Sequence, residues 1–490
     1  MHTKLGWVVG LTCCSVAAGG EWHVDDDLVD NPNADFVTIQ EAVDAAADVD
    51  TIYVYPGTYT SNADAVITLS DKYVVLLATG DADQTIIDGQ NLRRGIVIEE
   101  DSDGLFMVGF TITHCQTPDT GGFENEDGAA MLASSAQVEL YGCDIVSNSA
   151  TGGWWSSGAI YCDDVDLVLE GCSMSANVAN YGSAGIDARD SNVTCRHCDF
   201  TNHQPIDGPH GNGDVIYVDG VTPNGPANLA LSHCSFTSNA STKSSLWTGL
   251  VTCHGDVECS STEFRNNNSA GCMLRCLLET SGTFVDCVFD GNTAGATAGG
   301  MALTGNLEGD GDTPVEVNNC EFLGNQGDFA GGLYLGRVRA TISGCQFQGN
   351  ATEGGGGGLT VDNAHSVDIS DTTFLANNGG EEFYGAGAVS FTQEDLIPSL
   401  ARVEICGNRP SWRQIWGNWS NEGDTCIMTI CDPIPDGRIG VHDLLTVLER
   451  YGESCEACTE LQVADLNGDS VVDMLDIEAL IADWGDTCAL

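Results

Sequence analysis

The sequence predicts a right-handed parallel β-helix, and three observations carry that expectation. A six-residue pattern, Cys-x-apolar-x-x-Asn, recurs along the middle of the 490-residue chain. Its copies begin 25 to 36 residues apart. Between copies lie short apolar runs separated by Gly, Asn and Asp clusters, which is strand-and-turn punctuation without helical periodicity. A fixed period of this size means stacked units, each burying its apolar face only against its neighbours. Helical solenoids of similar period need longer amphipathic runs, and none is present.

The copies begin at Cys143, Cys172, Cys198, Cys234, Thr262, Cys287, Cys320, Cys345 and Thr372. The apolar place holds Ile145 and Met174 first and then Phe, as at Phe236, Phe289, Phe322 and Phe347. The last place is Asn148, Asn177, Asn239, Asn267, Asn292, Asn325, Asn350 and Asn377, with His203 as the exception. Stacking sets equivalent residues about 4.8 Å apart, so the Asn column is expected to form a buried amide ladder, a structural role. Parallel Cys side chains in a column point the same way, so they read as small buried hydrophobes rather than disulfides.

The chain begins with features of a secretory leader over residues 1–20. Lys4 precedes an apolar stretch from Leu5 to about Ala17, followed by small residues to Gly20. It is too short to span a membrane, and no membrane insertion is expected. Leu11, Cys13 and Cys14 come close to a lipoprotein box without matching it. Export implies an oxidising compartment for the remaining cysteines of the 22. A net charge of −56, from 16 basic and 72 acidic residues, repels nucleic acid and anionic lipid, which excludes both as partners. It equally repels an anionic polysaccharide unless Ca²⁺ bridges the two. A salty habitat explains the same charge.

Composition shifts after Asn408. Residues 409–430 carry Trp412, Trp416 and Trp419 and are expected to close the open end of the solenoid as a cap or linker; sugar stacking is the alternative. In residues 431–490 two units of another kind follow. Asp465, Asn467, Asp469, Val471 (through its carbonyl), Asp473 and Asp476 have the Ca²⁺-ligand spacing of an EF-hand loop. One amphipathic helix follows them. In the first unit Asp432, Asp436 and Asp443 occupy ligand positions, while Ile434 and Gly440 stand where two ligands should be. This makes the first loop the weaker calcium site. Cys426, Cys431, Cys455, Cys458 and Cys488 bracket the units and would pin a module with little core of its own; zinc at Cys455 and Cys458 is the alternative.

Phe-x-x-Asn copies alternating with Gly-Gly-apolar segments (Gly299 to Leu303, Gly331 to Leu333, Gly357 to Leu359) resemble the repeats of chlamydial polymorphic outer-membrane proteins. The start, Phe36 to Ala45 followed by Ile52 to Tyr59, resembles the amphipathic cap and first coil of pectin lyase-like proteins. Together these cover roughly 24–408, within a β-helix domain placed at 21–408. Residues 431–488 resemble the dockerin module of cellulosome-type proteins, whose single helix per loop and Asp at the last ligand position they share. That resemblance implies bound calcium and a cohesin-like docking partner. Positions 10 and 11 of the two loops, Val441 and His442, Met474 and Leu475, do not form a matched polar pair.

A pectin lyase-like enzyme would place carboxylates and a basic residue on one outer face. The Asn-Thr-Asp and Arg-Ile-Lys segments of polygalacturonases are absent, as are the Gln-Asp and Asp-Phe-Phe-Gly segments of pectinesterases. One constellation remains. Aligning Ile160, Ile186 and Ile216 stacks Asp163, Arg189 and Asp219 past one strand, with Asp164 and Asp190 beside them. His210 lies in an inserted loop, and Trp154 and Trp155 lie upstream. Carboxylates, a cation and aromatics are what a saccharide site needs; a surface salt-bridge ladder has the same composition. Two functions follow. In one, the protein engages extracellular polysaccharide, tethered through the calcium module; if an enzyme, it is a lyase or glycoside hydrolase of the pectin lyase-like kind. In the other it is a non-catalytic surface or adhesion repeat protein.

Overall fold

The computed structural model describes residues 19–118, 127–151, 158–179, 182–203, 214–222, 225–241, 249–269, 272–278, 281–305, 313–380, 384–393, 395–410, 413–423, 425–427, 439–454, 464–466, 471–482 and 484. Residues 1–18 of the expected leader, His210, Trp154, Trp155, Trp412, Asp432, Asp436, Asn467, Asp469, Cys431, Cys455, Cys458 and Cys488 lie outside them.

Successive strands wind into three parallel sheets of 15, 13 and 14 strands among the described residues, each strand hydrogen-bonded to its counterpart one coil on. The chain is a parallel β-helix. Side chains alternate inward and outward because the strand period is two. In the 13-stranded sheet, Ile160, Ile186, Ile216, Val251 and Leu274 stand in one register column, all fully buried.

The repeat pattern builds two interior columns. Phe200, Phe236, Phe264, Phe289, Phe322, Phe347 and Phe374 stack with centroids 4.6–5.1 Å apart and rings within 6° of parallel. Each burial contributes on the order of 1.5–3 kcal/mol. The rings leave no room beside them: a Cβ on Gly300, Gly332 or Gly358 would meet a Phe Cδ1 at 2.8–3.0 Å. That contact accounts for the second glycine of each Gly-Gly step; a Cβ on the first, Gly299, Gly331 or Gly357, would instead meet a backbone carbonyl of the next coil. The Asn column is a continuous ladder over much of its length. Asn325 Nδ2 donates to the Phe289 carbonyl at 2.8 Å and to Asn350 Oδ1 at 3.0 Å, while its own Oδ1 accepts from Asn292. The residue before each ladder Asn is left-handed, as at Gly324 (φ 60°) and Ala376 (φ 52°). The column cysteines, Cys143 to Cys345, are free and buried.

Both ends are covered. Helix α1 (Ile39–Ala45) turns Ile39, Ala42 and Val43 onto the first coil, with Thr38 capping its N-terminus. Its Gln40 amide fills the edge of the first strand of the 13-stranded sheet, accepting from Thr68 N at 2.7 Å and donating to Thr68 O at 3.1 Å, which blunts an open edge. At the other end Ile415–Trp416, Ser420–Gly423 and Cys426–Ile427 add one strand to each sheet. Trp419 packs on the core there.

Beyond the solenoid, α2 (Val441–Glu449) and α3 (Met474–Ala482) share a small core of Ile439, Val447, Val472 and Leu480 with Cys406 of the last coils. Ser454 and Val471 form an antiparallel bridge between the two units. Among the described residues no helix is long and apolar enough to cross a membrane.

Candidate functional site

The outward columns of the 13-stranded sheet hold the polar chemistry. One runs Tyr161, Asp187, Tyr217, Thr252, Arg275, and later Ala302, Tyr334, Thr360 and Ser390. The adjacent one holds Asp163, Arg189 and Asp219, and farther along Thr304, Gly336 and Asp362. Several of these outward residues are nonetheless buried, Asp187 and Thr252 completely and Arg275 to 4% exposure.

The register brings Asp163, Arg189 and Asp219 side by side, but the nearest partner of Arg189 is another residue. Its Nε lies 2.7 Å from Oδ1 of the buried Asp187, two positions back on the same strand. Asp219 stands at 3.6 Å, and the guanidinium lies 4.3 Å over the Tyr217 ring. Burial works to discharge Arg189, but Asp187, Tyr217 and Asp219 outweigh it and hold its pKa above the ordinary value. A cation so held stays protonated and does not serve as a base. Asp219 is pushed up by burial, yet His254, Tyr217 and Arg189 bring its carboxyl below the ordinary value. Tyr217 Oη donates to it at 2.9 Å, and His254 Nδ1 lies 3.3 Å from its other oxygen. Asp163 is shifted the opposite way, by burial and by Asp190, Asp164 and Glu100. Asp164 and Asp190 are exposed beside it, both left-handed. Arg189 is therefore locked into a local charge network.

A second location lies farther along the same face. A cleft of about 460 Å³ is lined by Arg275, Phe329, Tyr334, Arg337, Asp362 and Tyr384 among others. Gly336 forms its floor: a Cβ there would meet Tyr334 Cε1 at 3.2 Å and Thr304 Oγ1 at 3.5 Å. The rim aromatics Phe329 and Tyr384 are about half exposed, and outward hydroxyls of the sheet fix their backbones. Thr360 Oγ1 donates to Phe329 O at 2.7 Å, and Ser390 Oγ to Tyr384 O at 2.6 Å. Tyr334 Oη donates to Asp362 Oδ2 at 3.1 Å, while Thr392 holds the other oxygen at 2.6 Å. Burial and Asp362 raise the Tyr334 pKa; Arg275 and Arg337 oppose them. This is a concave site with aromatic walls and a few fixed polar groups, the makeup of a small-molecule or sugar pocket.

In the C-terminal module Asp476 and Asp443 are completely buried and make the same contact. Asp476 Oδ2 accepts from Asp473 N, and Asp443 Oδ2 from Gly440 N, both at 2.7 Å. Asp465 and Asp473 are partly exposed and Val471 is exposed. Two fully buried carboxylates in corresponding places suit a divalent cation, which offsets the cost of burying charge.

Alignment of the isoleucines was enough to find the Asp163–Arg189–Asp219 register, but it missed Asp187, Tyr217 and His254. The cleft was missed entirely. A signal for it exists: Phe329 and Tyr384 each sit just before a glycine-rich step, at Gly331 and Gly385.

No family model and no curated relative matches the chain. Among solved structures it is similar to a polygalacturonase from Erwinia carotovora ssp. carotovora, at 11% identity over 85% of this chain and 99% of that one, TM-score 0.30. It is also similar to a mannuronic acid-specific polysaccharide family 6 lyase from human gut microbiota, at 12% identity over 95% and 96%, TM-score 0.36. A third is a family 28 exopolygalacturonase of Yersinia enterocolitica, at 11% over 84% and 79%, TM-score 0.22. The parallel β-helix itself stands on the strand register described above.

Proposed function

We propose that this is an exported β-helix protein that engages extracellular polysaccharide on the outer face of its 13-stranded sheet. A calcium-binding, dockerin-like C-terminus would tether it to a cohesin-like or other surface partner. The cleft between Phe329 and Tyr384 carries the reading: aromatic walls pack on sugar faces, and the Tyr334–Asp362 pair offers fixed hydrogen-bonding groups. Calcium would be held by Asp465, Asn467, Asp469, Val471, Asp473 and Asp476, with Asp432, Asp436 and Asp443 as the weaker set. The satisfied state of Arg189 supports engagement without catalysis at the Asp163–Arg189–Asp219 location.

The test is calorimetric titration of the full chain against a panel of neutral, carboxylated and sulfated polysaccharides, beside its Phe329→Ala and Tyr384→Ala forms. Binding weakened by both substitutions with unchanged melting supports the proposal. Binding to none of the panel, or binding indifferent to both substitutions, removes it.

A further inference from the structure

We infer that Cys259 and Cys287 form an oxidisable pair, which a small disulfide such as oxidised glutathione converts into a covalent staple between neighbouring coils. The cysteines of the repeat column share one arrangement. Each rests its sulfur against a carbonyl on a strand of the preceding coil: Cys172 Sγ stands 3.3 Å from Leu140 O, Cys345 Sγ 3.3 Å from Val317 O and Cys287 Sγ 3.4 Å from Cys259 O. At Cys287 the residue so faced is itself a cysteine, and the two sulfurs lie 3.6 Å apart. Both are free thiols, Cys287 fully buried and Cys259 at 2% exposure.

Direction separates this pair from the column. Neighbouring column cysteines extend in parallel, which denies them the near-perpendicular dihedral of a disulfide. Cys259 points inward from the strand Asp256–Ser260, whereas Cys287 sits at the corner after the strand Gly282–Val285 of the next coil. Their side chains converge from different places in the coil. The column place nearest Cys259 holds Thr262, whose hydroxyl donates to Ser260 O at 2.9 Å, so no column thiol of its own coil competes. Cys195 stands two coils earlier in the same register column as Cys259, and Cys234 Sγ lies 3.3 Å from its carbonyl. There the competitor is present, since Cys198 takes the place of Thr262.

The reaction is a pair of thiol–disulfide exchanges. The Cys287 thiolate attacks one sulfur of oxidised glutathione and releases a glutathione thiolate. The Cys259 thiolate then attacks the Cys287 sulfur and releases the second. Two electrons pass from the cysteines to the oxidant, and their two protons go to the glutathione thiolates. With both sulfurs inside the core, exchange takes place while the coil is open, during folding or local unfolding. The finished bond is then shielded from reductant. It closes a loop between residues 28 apart, which carries Arg275 of the cleft. A coil is otherwise held only by its neighbours, so this covalent tie in mid-chain would halt unzipping from either end.

The experiment refolds the reduced full chain from urea into a glutathione redox buffer or into reductant alone. In parallel, chain that was never unfolded is incubated with oxidised glutathione in sub-denaturing urea, so that the result does not depend on refolding. Remaining thiols are alkylated after denaturation, and linkages are mapped by peptide mass spectrometry. The expected product is a Cys259–Cys287 linked peptide, lighter by the two lost hydrogens, with Cys320 and Cys345 alkylated. Oxidation should lower the unfolding equilibrium constant by roughly a hundredfold for a loop of this length. Cys259→Ala, which adds no polar group to the core, should remove that share of the oxidised-to-reduced difference. Linkage of Cys287 to Cys320 instead, or Cys259 and Cys287 both alkylated in every oxidising arm, overturns the inference. An oxidised-to-reduced difference of the same size in Cys259→Ala overturns it as well.

Discussion

His203 presents Nδ1 to Asn239 Oδ1 at 3.1 Å, inside a column where the neighbouring coils supply amides. Its ring is fully buried, and burial pushes its pKa down to about 4, with the Asn239 bond opposing. A neutral imidazole does part of the work of an amide: Asn177 Nδ2 reaches Nε2 at 3.4 Å.

Since the folded pKa of His203 lies below its unfolded value, the unfolded chain binds the extra proton first. Stability from this residue is full above about pH 6.5 and falls as pH drops from there toward 4, by roughly 3 kcal/mol in all. His203→Asn should flatten that part of the pH–stability curve and raise the melting point at pH 5. Thermal melts from pH 4 to 7.5 check this, and parallel curves for the two proteins would refute it.

Asn325→Ala strips partners from the Asn292 amide groups and the Phe289 carbonyl in one step. Each unpaired buried group costs roughly 1–3 kcal/mol. Asn33, exposed in the N-terminal region, should tolerate the same change. Denaturant unfolding should separate the two clearly.

Gly324 and Ala376 occupy equivalent left-handed places, and a Cβ on Gly324 would meet nothing within 4 Å. Gly324→Ala should therefore destabilise by about 1 kcal/mol through backbone strain alone. Ala376→Gly should stabilise by a similar amount, partly offset by the greater freedom of the unfolded chain. Urea midpoints moving in opposite directions are the expected outcome.

Gly336→Val would fill the floor of the cleft beside Tyr334 and Thr304. We expect saccharide affinity to fall at least about tenfold; because Gly336 is buried and its Cβ would press on Tyr334, stability should also fall, by roughly 1–3 kcal/mol in denaturant unfolding. Retained binding would place the ligand elsewhere.

Asp476→Ala should abolish tight calcium binding and loosen α3, whose first turn Asp476 ties to Asp473. Asp443→Ala should cost far less calcium affinity, since Ile434 and Gly440 already leave its loop short of ligands. Calorimetry should find one strong site in the wild-type chain. Two equal sites, or none, would contradict this.

Much of the solenoid is legible in the chain because its constraints repeat. A left-handed residue, an Asn that bridges coils and a Phe that needs a neighbouring Gly recur every 25 to 36 residues, so one turn predicts the next. The site does not repeat, and is correspondingly faint. Asp187 is invisible as a partner of Arg189 because an acidic residue two places away on a strand looks like any other in so acidic a chain. The cleft joins Arg275 to Thr392 across several coils, through loops of unequal length that no single period aligns. Only the aromatic ahead of a glycine step, at Phe329 and Tyr384, marks it.

The tight seating of each glycine against the next ring also bears on how such a chain changes over generations. A Cβ at Gly332 would meet the Phe347 ring edge at 3.0 Å and, closer still, the Gly358 carbonyl oxygen of the next coil at 2.7 Å, so a smaller residue at Phe347 alone would not make room for it. Replacements at these glycines are therefore barred by ring and backbone together, whereas copying or deleting an entire coil keeps both halves of the fit together. Lineages of this protein should differ by whole turns, and the cleft, which spans several, should move along the face or vanish when one is gained or lost inside it.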